Sequence, residues 1–170
     1  TRCCSSAASD VYKRQSMEDV GSLENIQHGL VREALRLTGI ESGVEITTIA
    51  DIPGQGTGLG SSSSVTVGLL NAMHAFQGRE ASKDQLAEEA CQIEIDTLGA
   101  PIGRQDQYAA SFGGVNSIRF GENGVQVEPI EVSEGLSKKF SENFTLVFTG
   151  MTRSASKVCL LYTSPSPRDQ

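Results

Sequence analysis

The 170-residue chain offers little from which to build a metal-cluster or disulfide scaffold. Its four cysteines, Cys3, Cys4, Cys91 and Cys159, form no CxxC pair and no Cys/His ligand spacing, and His28 and His74 stand alone. A structural zinc site and a disulfide framework are therefore not expected, and a reducing, cytoplasmic setting is. No run of about 18 apolar residues exists, so no transmembrane helix is expected. The start has no basic stretch leading into an apolar core and a cleavage site, so it does not read as a secretory signal. Aromatic residues make up 5% of the chain and tryptophan is missing. Basic residues are also in deficit: 14 Lys and Arg against 21 Asp and Glu give a net charge of −7. Such a balance argues against nonspecific binding to nucleic acid or a membrane surface. It leaves room for local basic contacts with a phosphorylated small molecule.

Residues 1–15 (TRCCSSAASDVYKRQ) and 158–170 (VCLLYTSPSPRDQ) lack sustained helical or strand periodicity. Both are rich in small polar residues and together hold three of the four cysteines. They resemble translated adapter or vector sequence and are expected to be non-native or disordered tails, to be set aside from fold reasoning. The segment 16–157 is then expected to form the domain, about one domain's worth of chain.

Within it, Ser16–Leu37 reads as a helix, with Val20, Leu23, Leu30, Ala34 and Leu37 near one face and Gly39 as a stop. Gly43–Ala50 alternates like a strand and is rich in β-branched residues. A helix is predicted over Ser61–Phe76, with Val65, Leu69, Met73 and Phe76 on its apolar face. Another begins at a capping box, Ser82–Gln85, and runs toward Leu98. Gly99, Pro101 and Gly103 force a turn. A short helix covers Asp106–Ser111. Val115–Phe120 and Val125–Ile130 form a hairpin through Gly121–Gly124, and Phe144–Phe148 is a last strand.

Between the first strand and the second helix stands PGQGTGLGSSSS, residues 53–64. Gly54, Gly56, Gly58 and Gly60 let the backbone approach a ligand closely. The helix that follows presents unpaired amides and the positive end of its dipole. Together these make an anion site, with phosphate the obvious anion, and the serine hydroxyls can add hydrogen bonds or a magnesium contact. No GK[ST] follows, so this is not a Walker A loop, and the spacing misses GxGxxG. A flexible linker or a simple serine N-cap is the plainer alternative.

A second constellation is EIDTLGAPIGRQDQYAASFGG, residues 94–114. Glu94 falls late in a helix and could bind magnesium. Asp106 follows a glycine-rich turn and could accept a substrate hydroxyl proton. The plainer alternative makes Asp106 an N-cap and Glu94 a solvated helix residue.

Taken together the two segments resemble the GHMP kinase superfamily, which includes galactokinase, homoserine kinase and mevalonate kinase. PGQGTGLGSS resembles its second motif, P-x3-G-L-G-S-S, and GRQDQ at Gly103–Gln107 resembles the turn bearing its catalytic aspartate. GLGSSSS, GRQDQYAASFGG and FTGMTRSAS (Phe148–Ser156) resemble the branch of D-glycero-D-manno-heptose 7-phosphate kinases. The resemblance implies an α/β (α+β) fold, an incomplete GHMP-kinase N-terminal domain with helices packed on a mixed sheet. It implies ATP and Mg2+ as cofactors and a sugar or sugar phosphate as substrate, with no nucleic acid or membrane partner. ATP would be held by Pro53, Gly54, Gly56, Gly58, Leu59, Gly60, Ser61, Ser62 and Ser63. Ser62 and Glu94 would bind the metal. Asp106 would be catalytic, and Asp106, Gln107 and Arg153 would contact substrate. Ser64 departs from the alanine common there, and the family's first and third motifs are missing, so the chain could carry these residues and be inactive by itself. The rivals are another sugar kinase of galactokinase or fucokinase type, and a noncatalytic sugar- or nucleotide-binding homologue.

Overall fold

The computed structural model describes residues 2–5, 17–48, 59–145 and 147. Strand β1 (Arg2–Ser5) lies at the centre of a three-stranded mixed sheet. It pairs antiparallel with β2 (Met17–Asp19) and parallel with β3 (Glu45–Thr48), in the register Cys3↔Glu18 and Cys3↔Ile46. Thus Arg2–Ser5, within the segment expected to stand apart as a tail, pairs with strands of the domain.

The helix expected over Ser16–Leu37 is divided. Strand β2 comes first, then a 3-10 turn at Leu23–Asn25, and only then α1 (Gly29–Thr38). Val20, Gly21 and Ser22 separate β2 from the 3-10 turn. The backbone amide of Gln27 is taken by the Glu18 carboxylate at 2.6 Å instead of by a helical carbonyl. His28 caps α1, its Nδ1 accepting from the Val31 amide at 3.4 Å, and Gly39 closes it at φ +74°. Val20 and Leu23 still pack on the same core as α1. Of the face expected at three-to-four spacing only Ala34 is buried; Val20, Leu23, Leu30 and Leu37 are half-buried against the core, which Ile26, Val31 and Leu35 fill.

Helix α2 (Ser61–Phe76) spans the predicted range. It is wrapped by α1, by α3 (Lys83–Cys91) and by α4 (Gln105–Phe112). Val31, Leu35, Leu70, Met73, Leu86, Ala90 and Ile93 form the shared core. Only half of the capping box forms. Ser82 accepts from the Gln85 amide at 3.1 Å, but the Gln85 side chain turns forward to Glu89 at 2.8 Å. Beyond Cys91 the helix widens into a π-helical turn, Gln92–Thr97, closed by Leu98 N–H donating to Ile93 C=O at 3.0 Å.

The hairpin pairs β4 (Asn116–Gly121) with β5 (Gly124–Pro129) through the two-residue turn Glu122-Asn123. Its inner residues Ile118, Val125 and Val127 pack against Ala87, Cys91 and Tyr108. Helix α5 (Glu134–Asn143), capped by Ser133, was not expected and has no buried residue. Phe144, Thr145 and Val147, described from the last predicted strand, stand in no regular element.

Candidate active site

Three elements converge at one end of α2. Gly60 precedes the helix at φ +65°, a left-handed conformation that suits glycine. A Cβ built there would lie 3.4 Å from Cγ and Oδ2 of Asp106. The first turn of α4 thus packs its acid directly against the backbone that leads into α2. Asp106 is exposed. It is the second residue of α4, behind the cap position Arg104, so it is not the N-cap of the plainer alternative.

Glu94 comes from the π-helical turn and is 2% exposed. The expectation of a solvated helix residue is therefore overturned. The i→i+5 spacing places Glu94 beside Ile93 on the buried side, and such widened turns recur at functional sites. Its carboxylate is ringed by neutral donors. Thr66 Oγ1 donates to Oε1 at 2.7 Å. Ser63 Oγ, Gln107 Nε2 and Ser62 Oγ lie 3.1, 3.0 and 3.5 Å from Oε2. Ser62, Ser63 and Thr66 meet it because the second, third and sixth residues of α2 project from neighbouring parts of one face. Among the described residues no cationic side chain forms an ion pair with Glu94.

That donor set bears on a metal. Burying a carboxylate is costly unless a cation or a full set of hydrogen bonds compensates. Here neutral donors supply the hydrogen bonds, with no cationic side chain among the described residues paired to the carboxylate. Hydroxyl and carboxylate oxygens are the hard ligands that Mg2+ prefers. Ser62, the partly solvent-facing member at the longest distance, and Glu94 fit such an ion.

The α4 end is fixed from the other side. Arg104 pairs with Glu88, and the Tyr108 hydroxyl donates to the same carboxylate. The Arg104 guanidinium stands 5.8 Å from the Tyr108 ring centre. Burial pushes the Tyr108 hydroxyl well above its ordinary range, and the Glu88 hydrogen bond adds to that. Burial likewise pushes the Cys91 thiol up, outweighing the neighbouring Arg104. Both stay protonated and serve to anchor α4 to α3.

Of the predicted site residues, the structure brings together Gly60, Ser62, Ser63, Glu94, Asp106 and Gln107. Ser61 opens α2, and Leu59 before it is 48% exposed. An open groove of about 860 Å3 runs along α2 from Ser61 past Val65 and Leu69, walled by Ile46 and Thr48. Gln107, expected at the substrate, is fully buried behind Glu94. Pro53, Gly54, Gly56, Gly58 and Arg153 lie outside the described residues. Thr66 was missed, though a hydroxyl three and four positions after two serines, on an otherwise apolar helix, was a readable signal.

The family model of the GHMP kinases N terminal domain matches residues 25–114, which include all of this geometry. The chain belongs to the GHMP kinase family. Over 112 residues it is 36% identical to a D-glycero-alpha-D-manno-heptose 7-phosphate kinase of Campylobacter jejuni, covering 65% of this chain and 33% of that protein. It is 29% identical over 138 residues to an L-fucokinase/L-fucose-1-P guanylyltransferase of Bacteroides fragilis, covering 78% of this chain and 14% of the other. A crystal structure of a D-glycero-D-manno-heptose 1-phosphate kinase from Bacteroides thetaiotaomicron superposes with a TM-score of 0.62 at 28% identity, covering 79% of this chain and 45% of that one. The chain thus spans about a third of the length of the first of these relatives.

Proposed function

We propose that this chain carries the phosphoryl-transfer residues of an ATP-dependent sugar kinase acting on a heptose phosphate. The observation that carries the reading is the meeting of Ser62, Glu94 and Asp106, from three elements, at the amide-rich start of α2. The first amides of α2 lack intrahelical partners and lie at the positive end of the dipole. With the glycine-rich segment before them, they would hold the nucleotide phosphates, and the apolar groove along α2 would take the nucleoside. Ser62 and Glu94 would hold Mg2+, which when bound neutralises charge on the transferring phosphoryl group. Asp106, exposed beside Gly60, would take the proton of the acceptor hydroxyl as its oxygen bonds to the γ-phosphorus and the bond to ADP breaks. Positioning and charge stabilisation supply most of such catalysis. The acceptor would be the anomeric hydroxyl of D-glycero-D-manno-heptose 7-phosphate. The names of the two heptose-phosphate kinases differ in where that sugar already bears phosphate, so the test must offer both isomers.

The experiment measures ADP release by the full-length protein with MgATP against heptose 7-phosphate, heptose 1-phosphate, galactose, fucose and mevalonate, beside Asp106→Ala. The expected result is turnover on heptose 7-phosphate alone, falling about 100-fold or more in the variant. Turnover on fucose or galactose would retain the sugar kinase and overturn the heptose. No turnover on any acceptor, by a folded protein that binds ATP, would indicate a binding homologue.

A further inference from the structure

Gln107 is the one described residue with a buried side-chain polar atom left without a partner: its Oε1 has none. Its other terminal atom, Nε2, donates to Glu94 Oε2 at 3.0 Å. The amide cannot turn over to relieve the oxygen, because that would set it against the carboxylate. A buried acceptor without a donor destabilises the fold, so Gln107 sits here at a loss to stability. What it gains is an N–H aimed at Glu94. Thr66 acts on the opposite oxygen. It is 0% exposed, and its hydroxyl lies 2.7 Å from Glu94 Oε1 and 2.9 Å from Ser62 C=O. Its single proton is shared between the carboxylate and the backbone of Ser62. The carboxylate is thereby gripped at both oxygens, from α4 and from α2. Thr66 also ties it to Ser62, the hydroxyl residue nearest solvent.

We infer that Gln107 and Thr66 are positioning residues that fix the Glu94 carboxylate for a divalent cation, at a cost in stability that Gln107 visibly carries. This rests on the reading of Glu94 as a metal carboxylate. Donors that orient a ligating carboxylate typically change metal affinity by about 10–100-fold when removed. A merely structural glutamine would show the reverse pattern, with stability lost and affinity kept.

The test uses the full-length protein with Mn2+ as probe, its affinity read by titration of the free-ion EPR signal and its melting temperature by calorimetry. Gln107→Leu is expected to weaken Mn2+ binding about 10–100-fold, while melting close to the parent, because relief of the unpaired oxygen offsets the donor lost to Glu94. Thr66→Val should weaken it similarly, and Thr66→Ser should restore it. Gln107→Leu and Thr66→Val binding Mn2+ like the parent, while Glu94→Gln binds it weakly, would overturn the inference and leave the metal reading standing. Glu94→Gln binding Mn2+ like the parent, or a parent that binds none, would overturn both. If Gln107→Leu fails to fold, the Thr66 pair decides between these outcomes.

Discussion

Two glutamates are buried among the described residues, and their surroundings are opposite. Glu33 on α1 is 5% exposed and Glu94 on the π-helical turn is 2% exposed. Glu33 lies between two guanidinium groups: Arg32 Nε at 2.9 Å, and Arg36, which also reaches Glu24 at 2.7 Å. Burial is the largest influence on the Glu33 carboxyl and pushes it up. The hydrogen bonds and charges of both arginines outweigh that and hold it below its ordinary value near 4.5. Glu94 has three hydroxyls and an amide around it and no ion pair among the described residues. Burial alone therefore does not distinguish the two carboxylates; the charge of their partners does. Glu33 has its counter-ions within the fold, whereas Glu94 is met by neutral donors alone among the described residues, the arrangement on which the proposed cation site rests.

The sharpest way to break this contrast is to neutralise each acid in turn. If the proposed function holds, Glu94→Gln should lower turnover of the full-length protein by about 100-fold or more, through loss of the proposed metal ligand. Its stability should hold or rise: the new amide can donate to Gln107 Oε1, the acceptor now without a partner. Glu33→Gln should leave turnover unchanged and lower stability by about 1–2 kcal/mol, discounted because both guanidinium groups are partly solvated. ADP release and denaturant titration of the two variants check both halves. If Glu94→Gln keeps its turnover, or Glu33→Gln loses it, the distinction fails.

A milder change converts one environment into the other. Gln107→Lys would set an ammonium beside Glu94 Oε2, giving Glu94 the internal counter-ion that Glu33 has. The expected outcome is a protein that folds and binds Mn2+ about 10–100-fold more weakly, a loss comparable to removing an orienting donor. Isothermal titration with Mn2+ checks it. Unchanged affinity would mean that the charge beside Glu94 is irrelevant to cation binding.

The two glutamates also mark how far the sequence could be read. Helix α2 with its limits, and the place of the acid after GRQ in the first turn of α4, were legible, because glycine punctuation and the GHMP motifs carry them; residues 53–58 of the loop lie outside the described residues. Glu94 was legible as a residue but not as a buried one, since the π-helical turn that swings it inward leaves no periodicity signal. The grip of Thr66 and Gln107 is tertiary, made by side chains from α2 and α4 that stand 41 positions apart, and no local pattern announces it. The start of α1 was misplaced because Val20 and Leu23 satisfy a helical spacing while standing before the α-helix, Leu23 in the 3-10 turn, on the same core. Helix α5 went unread because no residue of it is buried.

The pH dependence of stability should separate the pair next. A carboxyl held below its ordinary value contributes stability that is fully present above that value and is lost as pH falls through the folded one. For Glu33 the window therefore lies below about pH 4.5. The stability difference between the parent and Glu33→Gln, about 1–2 kcal/mol near neutrality, should shrink steadily through that window. Denaturant midpoints at pH 7, 5, 4 and 3 measure it. A difference that stays constant down to pH 3 would mean that the arginines do not set the Glu33 charge.

The smallest effect belongs to the outermost member of the Glu33 cluster. Glu24 is bonded to Arg36 at 2.7 Å, but the two side chains are 73% and 45% exposed. Water and salt screen such a pair, and holding two long side chains in one geometry offsets most of the attraction. Glu24→Gln should melt within ~2 °C of the parent at low salt and coincide with it in 1 M salt. Glu33→Gln should keep most of its deficit under the same salt, because its carboxylate is withdrawn from solvent. Thermal melts at two salt concentrations distinguish them. If Glu24→Gln proved as damaging as Glu33→Gln, the arginines would be held mainly from outside, and the buried acid would no longer be the centre of that cluster.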